Sequence, residues 1–255
     1  MSEVFDCSDG AQLLQGTRLA RQALSRGELI VIPTDTVYGV AADAFSPDAV
    51  QRLLDAKGRG RQSPPPVLIP NTGTLAALAA EATDALRSLA DAFWPGPLTI
   101  ITQANPALSW DLGETGGTVA LRIPGNAFAR ELLQETGPLA VSSANLTGIP
   151  AAGTAAEARE MLGESIAVYL DGGETRGEAS TIIDTTELAS DGSGSVRILR
   201  AGAVTDADLQ RVLPLAAILV GPAERELPTA QPAAEHVSET APPVAGDTEA
   251  AQASD

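Results

Sequence analysis

Short aliphatic runs alternate with amphipathic stretches along most of the 255-residue chain. Leu13, Leu14, Leu19, Ala20 and Leu24 fall near a helical repeat and predict a helix over residues 11–25. Gly27 follows as a residue that tolerates the left-handed turn closing a helix. The run Leu-Ile-Val-Ile at 29–32 reads as a buried strand stopped by Pro33. Ser46 and Pro47 supply a cap and a first helical residue, and the helix they open runs to Ala56 and delivers the chain to Lys57. Further helices are predicted over residues 83–93, 127–135, 154–162 and 205–212, with Thr154 and Glu157 at the spacing of a capping box. Strands are predicted over 98–102, 118–123, 139–142, 167–170, 181–184 and 196–199. This alternation predicts an α/β fold, a twisted, mixed open sheet with helices packed on it.

The pattern fades near residue 221. Pro, Ala, Glu and Thr dominate residues 221–255, and large aliphatics nearly vanish. Such a segment cannot bury enough surface to offset its ordering entropy. The expectation is a folded body over 1–220 and a disordered acidic tail over 221–255, with a short recognition motif as the alternative for the tail.

Composition narrows the function classes. The formal charge is -17, and seven of the 33 acids lie beyond residue 221 with only one of the 16 bases, so the body is acidic too. That balance argues against a protein held to nucleic acid by broad electrostatic attraction. Cys7 is the only cysteine, so no intramolecular disulfide can form. With no basic-then-apolar leader and no apolar run near ~18 residues, the expectation is a soluble cytoplasmic protein without membrane contact. The single histidine, His236, lies in the acidic tail, which removes a Ser-His-Asp triad or a histidine-rich metal site from the body. Lys57 is the only lysine among the sixteen basic residues.

Several segments carry polar chemistry. Residues 33–39 (PTDTVYG) follow the first strand and offer the hydroxyls of Thr34, Thr36 and Tyr38; the stretch suits a ligand-binding loop or an ordinary turn. Lys57, Arg59 and Arg61 are separated by Gly58 and Gly60 at a helix end, either as an anion grip or as cations complementing the helix dipole. This is not a phosphate-binding P-loop, whose Gly-x-x-x-x-Gly-Lys-Ser/Thr pattern is absent. Trp94, Pro95 and Gly96 take a structural role at the entry to a strand. Arg122 shares a strand face with Thr118 and Ala120, and if buried needs an anion, either a ligand or an internal carboxylate. Ser142, Ser143 and Asn145 end another strand and read as binders, because no Gly-x-Ser-x-Gly elbow or histidine base accompanies them. Arg197 and Arg200 flank the strand predicted over 196–199; Arg200 suits either a phosphate or the open surface.

Taken in order, the stretches PTDTVYGVAADA, AKGRGR, FWPGPLTIIT, VALRIP, SSANLTG, STIID and RILRAG resemble the threonylcarbamoyl-AMP synthase, or YrdC-like, family, in its short single-domain form. The resemblance implies a YrdC-like fold with a concave cationic cavity. It implies a nucleotidyltransferase converting L-threonine, bicarbonate and ATP to threonylcarbamoyl-AMP and pyrophosphate, for the N6-threonylcarbamoyl modification of adenosine 37 in tRNA. Site roles follow from the same resemblance. Lys57 and Arg59 would be catalytic; Thr36, Tyr38, Arg122 and Ser143 would bind threonine. Arg59, Ser63, Thr118, Ser142, Asn145 and Arg200 would bind ATP, Mg2+ would arrive with the nucleotide, and no protein metal site is expected. A downstream threonylcarbamoyl-transfer complex is the implied partner, and strong direct tRNA binding is not expected. Gly60, the Ser63-Pro64-Pro65 stretch and Leu68 depart from the family's Lys-Gly-Arg-Pro, Asn-Pro-Leu and histidine. Two other readings stand beside this one: an RNA-binding maturation factor, and a carbamoyltransferase-associated domain with a different acceptor.

Overall fold

Every α-helix among the described residues opens on a polar side chain that accepts a hydrogen bond from the first turn. In the computed structural model, which describes residues 2–175 and 177–221, these pairs are Asp9 with α1 (Gly10–Ser25) and Ser46 with α2 (Pro47–Ala56). Asn71 opens α3 (Thr72–Leu78), Thr83 opens α4 (Asp84–Phe93) and Asn126 opens α5 (Ala127–Thr136). Thr154 opens α6 (Ala155–Leu162) and Thr205 opens α7 (Asp206–Val212). Each such cap contributes about 1 kcal/mol by satisfying a donor that the helix leaves unpaired.

The predicted capping box at Thr154 is only half formed. Thr154 accepts from the Glu157 N–H, but the Glu157 carboxylate takes the N–H of Gly153 at 2.7 Å instead of that of Thr154. The reciprocal box occurs at Thr205 and Asp208.

The strands are β1 (Glu3–Asp6), β2 (Ile30–Ile32), β3 (Gly39–Asp43), β4 (Val67–Leu68), β5 (Leu98–Gln103) and β6 (Thr118–Arg122). They continue with β7 (Leu139–Ser143), β8 (Val168–Asp171), β9 (Thr181–Leu188), β10 (Gly194–Arg200) and β11 (Ala217–Val220). They form one mixed sheet in the order β1-β8-β2-β3-β7-β4-β6-β5-β9-β10-β11. The mixed open sheet is therefore present as expected. Alternation along the strands puts the core on both faces. Ile30 and Ile32 pack with Leu24 of α1 and Leu132 of α5, whereas Val31 between them packs with Leu53 of α2 and Ala158 of α6. A third cluster holds Leu75, Leu89 and Leu209, from α3, α4 and α7, against β5 and β6.

Five strands and α-helices go beyond the sequence pattern: β1, β3, the two-residue β4, α3 and β11. Residues 39–43 belong to an antiparallel hairpin with β2 in the register Ile30↔Ala41, so the polar stretch before them is its connecting loop. β1 and β11 are four-residue edge strands, and α3 is only seven residues long; all three are too short for a periodicity to stand out. The expected disorder of the tail falls on residues 222–255, outside the described residues. No helix among the described residues is long and apolar enough to cross a membrane.

Candidate active site

The helix end that carries Lys57 has a specific geometry. Lys57 is the C-cap of α2, and Gly58 follows with φ +61. The Gly58 N–H reaches the Asp55 carbonyl and the Arg59 N–H reaches the Leu54 carbonyl, each at 2.9 Å, which is a Schellman motif. Gly58 is thus a cap glycine, and the sequence contrast between a cap and an anion grip dissolves: the cap is what orients the two cations.

They are oriented differently. Arg59 lines a cavity of about 420 Å³, and its NH1 donates to Ser142 Oγ at 3.3 Å. Lys57 is 1% exposed and is not among the lining residues. Its ammonium donates to the carbonyl of Ser143, to the Asn145 carbonyl at 2.7 Å and to Asn145 Oδ1 at 3.2 Å. Burial and then the nearby Arg59 charge pull its pKa down to about 8. Lys57 therefore holds the turn after β7 from behind the cavity wall.

The cavity collects side chains from distant segments. Thr36 and Tyr38 come from the β2–β3 loop, Thr118 and Arg122 from β6, Ser142 and Ser143 from β7, Asn145 from the turn beyond it, and Arg200 from β10. Strand order explains the convergence, since β3, β7, β4, β6, β5, β9 and β10 are consecutive neighbours. Among the described residues three guanidinium groups, Arg59, Arg122 and Arg200, face this space, and no Asp or Glu lines it. Burial lowers the pKa of all three, and for Arg200 the charges of Arg122 and Arg59 lower it further.

Arg122 has an internal carboxylate partner and still keeps donors free of it. Its NH2 meets Asp35 Oδ1 at 2.6 Å, its NH1 donates to Thr36 Oγ1 at 3.0 Å, and its Nε donates to the Gly96 carbonyl at 2.9 Å. Two of its five N–H groups remain for an anion in the cavity it lines. The Trp94–Gly96 turn, read from sequence as structural, thus supports a site cation directly. Arg200 is braced by the Ser180 carbonyl, at 3.0 and 2.7 Å, and by Ser180 Oγ at 2.8 Å.

Several sequence expectations change. Tyr38 lines the cavity, but its hydroxyl donates to the Gly173 carbonyl at 2.6 Å and accepts the Gly172 N–H at 3.0 Å, tying down the loop after β8. Asn145 Nδ2 is engaged by the carbonyls of Leu146 and Ile149, so its amide shapes its own turn. Ser63 is not a lining residue; Pro64, Pro65, Pro66 and Leu68 form that wall instead. Arg61 turns outward to Asp111 at 2.6 Å, and Arg197 lies at the surface beside Glu187. Thr34, one of the hydroxyls offered by the 33–39 stretch, lines the cavity as well; Thr99 and Ser180 line it without having been singled out for binding, and their signal was only membership of the motifs PLTIIT and STIID.

A family model for Sua5/YciO/YrdC domains, described as telomere recombination, matches residues 22–202. The chain belongs to this family. A putative threonylcarbamoyl-AMP synthase of Mycobacterium leprae is 50% identical over 214 residues, covering 84% of this chain and 94% of that one. The crystal structure of Sua5 from P. abyssi complexed with L-threonine superposes with TM-score 0.76 at 31% identity, covering 85% of this chain and 62% of the archaeal one. YciO of E. coli shares the fold, with TM-score 0.70 at 22% identity over 82% of this chain and 99% of its own. The cavity described above lies almost wholly within the family's matched span, and every arginine that lines it falls inside residues 22–202.

Proposed function

We propose that this enzyme condenses L-threonine, bicarbonate or CO2, and ATP to threonylcarbamoyl-AMP and pyrophosphate, a nucleotidyl transfer serving N6-threonylcarbamoyladenosine formation in tRNA. The observation that carries the proposal is a cavity that, among the described residues, has three arginines and no acid on its wall, in a chain of net charge -17. Such a cavity suits two anionic substrates that must be brought together. A relative named putative threonylcarbamoyl-AMP synthase at 50% identity and the threonine complex of the archaeal neighbour agree with it.

The reaction needs no enzyme nucleophile. The threonine amine attacks the carbon of CO2; a C–N bond forms, a π pair moves onto oxygen and the nitrogen loses a proton to water. Where bicarbonate is the source, it first takes up a proton, such as the one the amine releases, and loses water to leave CO2. The carbamate oxygen then attacks the α-phosphorus, and the bond to the pyrophosphate oxygen breaks. In this scheme Arg122 receives the threonine carboxylate, and Thr36 and Ser143 serve the rest of the amino acid. Arg59, Arg200, Thr118 and Ser142 face the nucleotide. Catalysis is positioning and charge neutralisation in a partly desolvated space. Lys57 and the Asn145 amide act by holding the Ser143–Asn145 turn, and Tyr38 by holding the loop after β8.

Magnesium enters as the counter-ion of the triphosphate. Among the described residues no group of three His, Cys, Asp or Glu side chains could hold a metal, and Asp35, the carboxylate beside the cavity, is taken by Arg122 and the Gly125 N–H. In this scheme the ion is held chiefly by the triphosphate and water.

The labile product passes to a downstream threonylcarbamoyl-transfer complex, and the enzyme works in the cytoplasm without strong tRNA affinity of its own. The lone cysteine suits that compartment. Mass spectrometry of a reaction holding only enzyme, MgATP, bicarbonate and L-threonine tests the proposal. Threonylcarbamoyl-AMP is the expected product, and ATP turnover independent of threonine sinks it.

A further inference from the structure

We propose that Thr34 sets the hydrogen-bonding polarity of Thr36, so that Thr36 meets the amino group of the substrate as an acceptor and not as a donor. The proposal rests on reading the Thr36–Arg122 corner as the amino-acid site. It concerns which way a chain of protons runs, and the distances decide that.

Thr34 and Thr36 are buried, at 6% and 3% exposure, and both line the cavity. Thr34 Oγ1 lies 2.6 Å from the carbonyl oxygen of Val37. A carbonyl has no proton to give, so the proton on that line is the one proton of the Thr34 hydroxyl. Thr34 then has only its two lone pairs left. One accepts the backbone N–H of Thr36 at 3.1 Å. The other faces Thr36 Oγ1 at 3.0 Å, and the proton there must come from Thr36.

The far end of the chain enforces the same direction. A guanidinium has donors and no acceptor, so Arg122 NH1 donates to Thr36 Oγ1 at 3.0 Å. Thr36 therefore has its proton committed to Thr34, one lone pair committed to Arg122 and one lone pair left. Toward the cavity it can only accept.

That polarity matters for a nucleophilic amine. A neutral amine has two N–H donors and one lone pair. An acceptor at Thr36 holds an N–H and leaves the lone pair for the carbon that is attacked. A donor at Thr36 would hydrogen-bond the lone pair and suppress its reactivity. The relay also discriminates against ligands that carry the carboxylate but present only an acceptor at the second carbon.

Thr34 is on this account a positioning residue, acting through Thr36. The bland alternative is that its hydroxyl merely stabilises the turn. Calorimetric titration of L-threonine and of 2-oxobutanoate separates the two, because 2-oxobutanoate keeps the carboxylate but offers only a carbonyl at the second carbon. The wild type, Thr34→Ser and Thr34→Val are compared, with thermal unfolding as the control for folding and Thr34→Ala in place of the valine variant if that one unfolds. Thr34→Ser is expected to bind both ligands as the wild type does. Thr34→Val is expected to bind L-threonine about tenfold more weakly, with no weakening of 2-oxobutanoate, since the Thr36 proton becomes available to its carbonyl. Equal weakening of both ligands, or no change in either, overturns the proposal. Failure of the wild type to bind L-threonine at all overturns the reading of the corner as an amino-acid site, and this inference with it.

Discussion

Lys57 and Arg59 leave the same helix end two residues apart, yet only Arg59 lines the cavity while Lys57 grips the back of the turn that forms its wall. The Schellman motif at Gly58 produces this divergence, because it reverses the chain between the two side chains. A pair that looks in sequence like two fingers on one anion is, in three dimensions, a finger and its support.

Because Lys57 is the only lysine, a sample labelled at lysine side chains gives a single resonance for its ammonium. That resonance should titrate at about 8, as burial and Arg59 require, and a midpoint above about 10 would contradict the buried placement. The sign for stability follows. The folded pKa lies below the ordinary lysine value of 10.5, so between about 8 and 10.5 the unfolded chain holds this proton more tightly, and raising the pH through that window favours the fold. Urea unfolding should show the wild type gaining stability relative to Lys57→Met from pH 8 to 10.

Arg122 and Asp35 form a buried pair at 2.6 Å, with side chains 7% and 17% exposed. Arg122→Gln leaves the carboxylate without its cation and should cost about 3 kcal/mol of stability by denaturant unfolding. A double-mutant cycle with Asp35→Asn should recover much of that loss. Strict additivity of the two substitutions would show that the pair is not coupled.

Arg59 and Arg61 make a matched contrast. Arg59→Ala removes a cavity guanidinium and should raise KM for ATP about 10- to 100-fold, in line with a lost charged hydrogen bond. Arg61→Ala removes an exposed ion pair with Asp111 and should change KM by no more than about twofold. Similar effects from both would remove the distinction between lining and outward arginines. Arg200→Ala should behave like Arg59→Ala.

The capping box of α7 offers a substitution remote from the chemistry. Thr205→Ala should lower stability by about 1 kcal/mol and leave steady-state turnover unchanged, as judged by urea unfolding beside a pyrophosphate-release assay. A loss of activity with unchanged stability would mean that α7 does more than pack against α4.

The long elements were legible because burial on one side imposes a period. Leu13, Leu14, Leu19, Ala20 and Leu24 announce α1, and Ser46 with Pro47 marks the start of α2 to the residue. β1, α3 and β11 escaped because too few residues repeat, and β3 because its Gly-Val-Ala-Ala run followed a polar stretch that reads as a turn. Among site residues, Arg122 was conspicuous as a cation in an apolar strand, whereas Thr34 fitted a ligand-binding loop and an ordinary turn equally well.

What the sequence determined by itself was the set of side chains on offer: one lysine, one histidine outside the predicted body, and cations and hydroxyls at predicted strand ends, suited to binding and neutralising anions. The ordered motifs carried the family. Only the tertiary structure decided which of those groups face the cavity. Lys57 turned inward, the Asn145 amide and the Tyr38 hydroxyl met backbone groups of nearby loops, and Thr34 met the Val37 carbonyl. The physical reason is that hydrogen-bond direction and burial are set by partners far away in sequence. Ser143 lies 86 residues from the lysine that holds its carbonyl, and Arg122 lies 86 residues from the hydroxyl it orients.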